Sequence, residues 1–179
     1  QALYLAMLAL SMAYLAPLVI PQNHPDVIFL FGYYFVINLA VAAVNFIQPW
    51  KILHQIAFFA TMFIGGATIG IYAKTYQFDT LDMILWLHIA LFIWLSIRYS
   101  QLMLRTQTQD TSIDQTIPQS RQRLQPILDV GLIFSVPVLG FSLHAYLMHN
   151  STQALTWGAV ALAIVYIALN LWIKRRHPQ

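Results

Sequence analysis

Six long stretches of apolar residues follow one another along this chain, separated by polar or proline-containing breaks. A helix needs about 20 mostly apolar residues to cross roughly 30 Å of hydrocarbon, and each stretch meets that need. None shows the strict alternation of apolar and polar residues that is typical of a membrane β-barrel strand. The pattern predicts an all-α, polytopic membrane protein with six transmembrane helices, at residues 2–20, 27–47, 52–73, 81–104, 127–149 and 153–173.

The breaks indicate how these helices are connected. Three of the five connections are short, and Pro21, Pro25 and Pro49 fall in them, where a helix cannot continue. Short connections favour consecutive helices packed as antiparallel hairpins. Ser151 or Thr152 is placed to cap the last helix.

One connection, residues 105–126, is long and rich in Gln, Thr, Ser and Arg. It has too few apolar residues to bury a core, so we expect a polar cytoplasmic linker. This linker divides the chain into a four-helix part, residues 1–104, and a two-helix hairpin with a basic tail, residues 127–179.

Composition supports the membrane class. Only 8% of the residues are charged and 59% are hydrophobic, whereas an ordinary soluble domain has about 25% charged residues. The absence of cysteine excludes disulfides, thiolate catalysis and cysteine-ligated metals. The chain begins at Gln1, already close to the first apolar stretch, so we expect it to be part of a longer protein with further transmembrane segments.

The basic residues are sorted to one side of the predicted membrane. Of the nine Lys and Arg, only Lys74 falls on the side opposite the C-terminus. Basic residues concentrate on the cytoplasmic side of inner-membrane proteins, so we expect both chain ends to be cytoplasmic in a bacterial inner membrane. The net charge of +3 then indicates contact with anionic lipids, and no basic patch points to nucleic acid.

A few polar groups and one proline fall inside the predicted spans. Asn38 lies near the middle of span two, while His88 and His144 lie at similar depth in spans four and five. Such groups either bond to neighbouring helices or line a path for a substrate or protons. Pro137 interrupts span five, as prolines do in the broken helices of transporters, although inert bundles contain them too.

Two further pairs invite a structural interpretation. Gly66 and Gly70 form a GxxxG pattern, which favours close packing between two helices. Arg98 and Asp129 lie near corresponding ends of spans four and five, where they can form an interfacial ion pair or extend separately to the headgroups.

The chain has no recognisable catalytic, nucleotide-binding or metalloprotease motif. We therefore expect no enzyme activity, no catalytic residue, no metal and no cofactor. One alternative is a haem held by His88 and His144, but two histidines at similar depth are weak support for it.

Two groups of short sequences resemble a known family. The first comprises HPD at 24–26, FGYYFVINLA at 31–40, QPWK at 48–51 and GGATIG at 65–70; the second comprises LDVGLIFSVP at 128–137, FSLH at 141–144 and KRR at 174–176. Together they resemble a segment of the bacterial predicted membrane protein family called domain of unknown function 2339. The family tends to have Trp where this chain has Ile69, and the Gln-rich linker has no counterpart. The resemblance implies a long inner-membrane protein and supplies no catalytic residues.

These observations lead to one principal hypothesis and two alternatives. The principal hypothesis is a non-catalytic envelope scaffold or assembly module. The first alternative is part of a transporter or flippase with a polar path near Asn38, His88 and His144. The second is a haem-bearing electron-transfer subunit.

Overall fold

In the computed structural model, residues 2–19, 26–47, 50–110 and 134–176 are described, and every regular element within them is helical. A bilayer offers the backbone no hydrogen-bond partners, so an apolar chain satisfies its N–H and C=O groups within helices. The elements in order are α1 (Ala2–Val19), α2 (Val27–Ile47), α3 (Lys51–Phe59), a π-helical segment (Ala60–Gly65), α4 (Gly66–Tyr72), a 3₁₀ turn (Thr75–Gln77), α5 (Phe78–Asp110), α6 (Phe134–Leu147) and α7 (Thr152–Arg176).

Five helical stretches among the described residues are long and apolar enough to cross a membrane. They are Ala2–Val19, Val27–Ile47, Ile52–Tyr72, Thr75–Arg98 and Thr152–Leu171. The predicted all-α class is confirmed for the described residues, and these five segments have the length and the apolar composition that the predicted spans require. Of the predicted fifth span, residues 134–149 lie within the described part of the chain, and they contain the shorter apolar helix Phe134–Leu147.

Helix α5 is longer than the sequence pattern predicts. It continues to Asp110 and therefore includes residues 105–110, the first part of the predicted linker. That stretch, RTQTQD, has neither Pro nor Gly, so nothing in it breaks the helix. Residues 111–126 lie outside the described part of the chain.

Helix α2 is the centre of the bundle. It packs against α1, against α3 and the π-helical segment, and against α5. Its buried residues, from Val27 to Asn45, recur at intervals of mostly three and four positions and therefore lie on one face of the helix. The most deeply buried include Phe31, Tyr34 and Asn38.

Two side chains cap helix ends. Asp26 Oδ1 accepts hydrogen bonds from the backbone N–H groups of Ile28 (3.0 Å) and Phe29 (3.2 Å) at the start of α2. Ser151 Oγ accepts one from the N–H of Ala154 (3.2 Å) at the start of α7, which confirms the predicted cap.

Helices α1 and α7 are the least covered in the described bundle. Most of their large apolar side chains are exposed, as for Tyr4 and Leu8 in α1 and Trp157 and Ile164 in α7. In a membrane protein such surfaces face lipid or further helices.

Candidate functional site

A buried hydrogen-bond network joins three helical segments around Asn38. The hydroxyl of Tyr14 in α1 donates to Asn38 Oδ1, and Asn38 Nδ2 donates to Thr61 Oγ1 at 2.9 Å. The Thr61 hydroxyl in turn donates to the carbonyl of Ala57 at 2.8 Å. All three polar side chains are fully buried. The amide of Asn38 thus has a protein partner on each side.

Two tyrosines of α2 strengthen the same contact with α1. Tyr34 donates to the carbonyl of Tyr14 at 3.0 Å, and Tyr33 donates to the carbonyl of Ala13 at 3.1 Å. Tyr34 and Asn38 are four residues apart and therefore lie on one face of α2, as their spacing predicts.

Thr61 belongs to the π-helical segment that interrupts the third span. A π-helical turn is wider than an α-helical one and usually occurs where a helix meets a specific local demand. Here Thr61 bonds back to Ala57 one turn earlier and accepts the bond from Asn38. The irregular part of the span therefore coincides with its polar contact to α2.

His88 in α5 is fully buried among aromatic rings. Its ring stacks on Phe31 with centroids 4.6 Å apart and meets the edge of Phe35 at 5.2 Å. Nδ1 lies 2.9 Å from the carbonyl of Ile84, so this nitrogen carries the proton and donates it. Nε2 has no hydrogen-bond partner in the part of the chain that the structure describes.

His144 in α6 contacts both α5 and α7. Its Nδ1 lies 2.6 Å from Asp82 Oδ1, and its Nε2 lies 3.3 Å from the carbonyl of Ala154. The ring also meets Trp86 edge-on, with centroids 5.4 Å apart. His144 and Asp82 form a largely buried pair that links three helices.

Space for this imidazole comes from Gly158 in α7. A Cβ at that position would lie 2.7 Å from Cδ2 of His144 and closer still to Nε2. Because real Cβ contacts are not that short, only glycine admits the ring in its present position.

The structure places Asn38, His88 and His144 in three different helix interfaces. Asn38 bonds to α1 and the π-helical segment, His88 packs on aromatic residues of α2, and His144 bonds across to α5 and α7. Pro137 lies in the first turn of the described part of α6, which continues through it to Leu147.

Among the glycines of the third span, Gly65 is the one packed most closely against a neighbouring helix. A Cβ there would lie 2.9 Å from Cε2 of Phe31, so α2 packs directly against the backbone. A Cβ at Gly66 would meet Leu143 at an ordinary 3.9 Å, and one at Gly70 would meet nothing within 4 Å.

Arg98 packs on aromatic rings, and its guanidinium carbon lies 3.4 Å from the ring centroid of Phe46. Asp129, its predicted partner, lies outside the described residues. Within the described ranges, no group of three or more His, Cys, Asp or Glu side chains is arranged to hold a metal ion.

Three residues of these contacts were missing from the sequence-predicted set: Tyr14, Thr61 and Asp82. Tyr14 stands in an almost wholly apolar helix whose other hydroxyl groups belong to Tyr4 and Ser11, and a hydroxyl within such a span is a usable signal because it needs a hydrogen-bond partner. Asp82 and His144 are 62 positions apart, so only the fold brings them together.

The chain matches, over residues 1–179, the family described as Predicted membrane protein (DUF2339). Comparison with curated proteins and with solved structures gives no significant match.

Proposed function

The chain belongs to the Predicted membrane protein (DUF2339) family, and from that premise we propose that it is a non-catalytic scaffold or assembly module of the bacterial inner membrane. The observation that carries this proposal is the closed network of Tyr14, Asn38 and Thr61. These polar groups inside the bundle are used to join helices, which is the ordinary role of such groups in membrane proteins.

The separation of the polar residues supports the same proposal. A transport path needs polar side chains that converge on one cavity. Asn38, His88 and His144 instead contribute to three interfaces, and both Oδ1 and Nδ2 of Asn38 hydrogen-bond to protein.

The proposed arrangement in the membrane has six spans packed as antiparallel hairpins, with the segment 105–126 and both chain ends in the cytoplasm. The distribution of Lys and Arg supports it, with Lys74 alone on the opposite side. Lipids and further transmembrane segments of the same protein or complex are the partners we propose, since α1 and α7 leave broad apolar surfaces exposed.

Cysteine labelling tests the proposal directly, because the chain has no cysteine of its own. Thr61→Cys keeps a side chain of similar size in the centre of the network. In native membranes we expect it to be inert to a water-soluble maleimide, while Lys74→Cys reacts because Lys74 is exposed between spans.

Labelling of Thr61→Cys at a rate comparable with Lys74→Cys would show a water-filled path and would contradict the scaffold proposal. Val36→Cys is a second control, since Val36 is on the exposed surface of α2. A thiol that faces lipid is also shielded from the water-soluble maleimide. Unlike Val36→Cys, Thr61→Cys should also resist a membrane-permeant maleimide, since Thr61 is fully buried.

One observation favours the transporter or flippase alternative. Nε2 of His88 is fully buried and has no hydrogen-bond partner among the described residues, so it is available to a transient ligand. On that hypothesis His88→Phe abolishes flux in reconstituted vesicles without unfolding the protein. The haem alternative uses the same nitrogen and requires a Soret absorption band in the purified protein.

A further inference from the structure

Arg98 lies over two aromatic rings at one end of the bundle. Its guanidinium carbon is 3.4 Å from the ring centroid of Phe46 in α2 and 5.9 Å from that of Trp94 in α5. The two rings are 5.4 Å apart and inclined by 39° to each other. We call Phe46 and Trp94 the aromatic cradle of Arg98.

The cradle lies where two spans end. Phe46 is in the last turn of α2, which ends at Ile47, and Arg98 is the last residue of the apolar span Thr75–Arg98. Both cradle rings remain open to the outside, with 56% of Phe46 and 42% of Trp94 exposed. Phosphate groups of lipids lie at the depth where membrane spans end.

Stacking leaves the hydrogen-bonding edge of the guanidinium available. A planar guanidinium over a ring uses its face, whereas its five N–H donors point outward in the plane. Arg98 forms no ion pair with a carboxylate of the described residues. A fixed planar fork of donors matches the oxygen atoms of a phosphate, which it binds through two parallel hydrogen bonds.

We propose that Arg98, held by Phe46 and Trp94, binds the phosphate of an anionic phospholipid at this end of the bundle. The cradle restricts the guanidinium before the lipid arrives, so less side-chain freedom is lost on binding. The chain thereby gains one defined lipid site in addition to the lipids that surround its spans.

The test measures phosphatidylglycerol bound to the intact, detergent-solubilised protein by native mass spectrometry, with phosphatidylcholine as the reference lipid. Arg98→Gln should lower the association constant for phosphatidylglycerol about fivefold, since one basic residue at an anionic surface contributes about 1 kcal/mol. Lys74→Gln removes the same charge from an exposed position between spans and should leave this constant unchanged.

Phe46→Leu keeps the charge and removes one wall of the cradle. We expect it to weaken phosphatidylglycerol binding, although less than Arg98→Gln does. Equal binding by wild type and Arg98→Gln, or an equal loss in Arg98→Gln and Lys74→Gln, would overturn the proposal.

Two further experiments distinguish binding of the lipid from binding of other anions. If Asp129 held Arg98 as an ion pair, Asp129→Asn would release the guanidinium and increase lipid binding. Such an increase would overturn the proposal, whereas unchanged lipid binding supports it. Displacement of phosphatidylglycerol by an equal concentration of inorganic phosphate would identify a site for free phosphate and would likewise overturn the assignment to lipid.

Discussion

His144 of α6 and Gly158 of α7 pack so closely that a methyl group at position 158 would overlap the imidazole ring. Helix α7 is otherwise little covered, so this contact is a principal attachment of the helix to the bundle.

Gly158→Ala should therefore destabilise the bundle. Placing a Cβ 2.7 Å from Cδ2 of His144 forces the ring or α7 to move, and such overpacking lowers the free energy of unfolding by about 1–3 kcal/mol. Gly32→Ala is the matched control, because a Cβ there meets nothing within 4 Å. Unfolding in detergent, followed by circular dichroism, compares the two; equal stabilities would contradict the close contact.

Asn38 and Tyr14 should be energetically coupled. Because the Tyr14 hydroxyl donates to Asn38 Oδ1, the double variant Tyr14→Phe/Asn38→Leu should lose less stability than the sum of its single variants. Double-mutant cycles in membrane proteins give about 0.6 kcal/mol for such bonds and up to about 1.7 kcal/mol. The control cycle pairs Asn38→Leu with Tyr33→Phe, whose hydroxyl bonds to the carbonyl of Ala13. Additive effects in the first cycle would contradict the network.

Asp82 should contribute more to stability than its neighbour Asp79. Asp82 accepts from His144 in a largely buried contact, whereas Asp79 is exposed one turn earlier on α5. Asp82→Leu leaves His144 without this acceptor and should lower the free energy of unfolding by about 1–3 kcal/mol. Asp82→Asn keeps an acceptor and should cost less. Chemical unfolding in detergent measures both, and a loss as large in Asp79→Asn would argue against a specific pair.

His88→Phe should be tolerated or slightly stabilising. The variant keeps an aromatic ring against Phe31 and removes the buried Nε2. A buried nitrogen without a hydrogen-bond partner lowers the free energy of unfolding by about 1–3 kcal/mol. His144→Phe is the contrasting variant, because it removes the two ring nitrogens that contact Asp82 and the carbonyl of Ala154. Melting temperatures in detergent compare them. A large loss in His88→Phe would show that Nε2 has a partner in the folded protein.

Hydropathy predicted the helices because it reports a property of each segment alone. The second span coincides with α2, from Val27 to Ile47, and the third, beginning at Ile52, ends one residue beyond the observed Tyr72. The ends of helices that lie in polar sequence were harder to predict, because no change in hydropathy marks the residue at which a helix such as α5 ends.

The contacts of the polar residues were only partly predictable. The shared face of Tyr34 and Asn38 follows from their spacing on one helix, and the need of Asn38 for a protein partner follows from its depth. Which residue supplies that partner depends on how α1 lies against α2, and spacing within a single span does not determine this. The same holds for Asp82 and His144 on separate helices.

The π-helical segment Ala60–Gly65 is equivalent to one residue inserted into a regular helix. Each residue of an α-helix turns the chain by about 100°, and the wider π-helical turn absorbs the extra residue. The residues of α4 therefore lie about 100° from where an uninterrupted α-helix of the same sequence would place them. On either side of this segment Thr61 meets Asn38 of α2, and Gly66, five residues later, faces Leu143 of α6. Deleting one residue of this stretch would therefore restore a regular α-helix and leave the later side chains of the span facing their present neighbours.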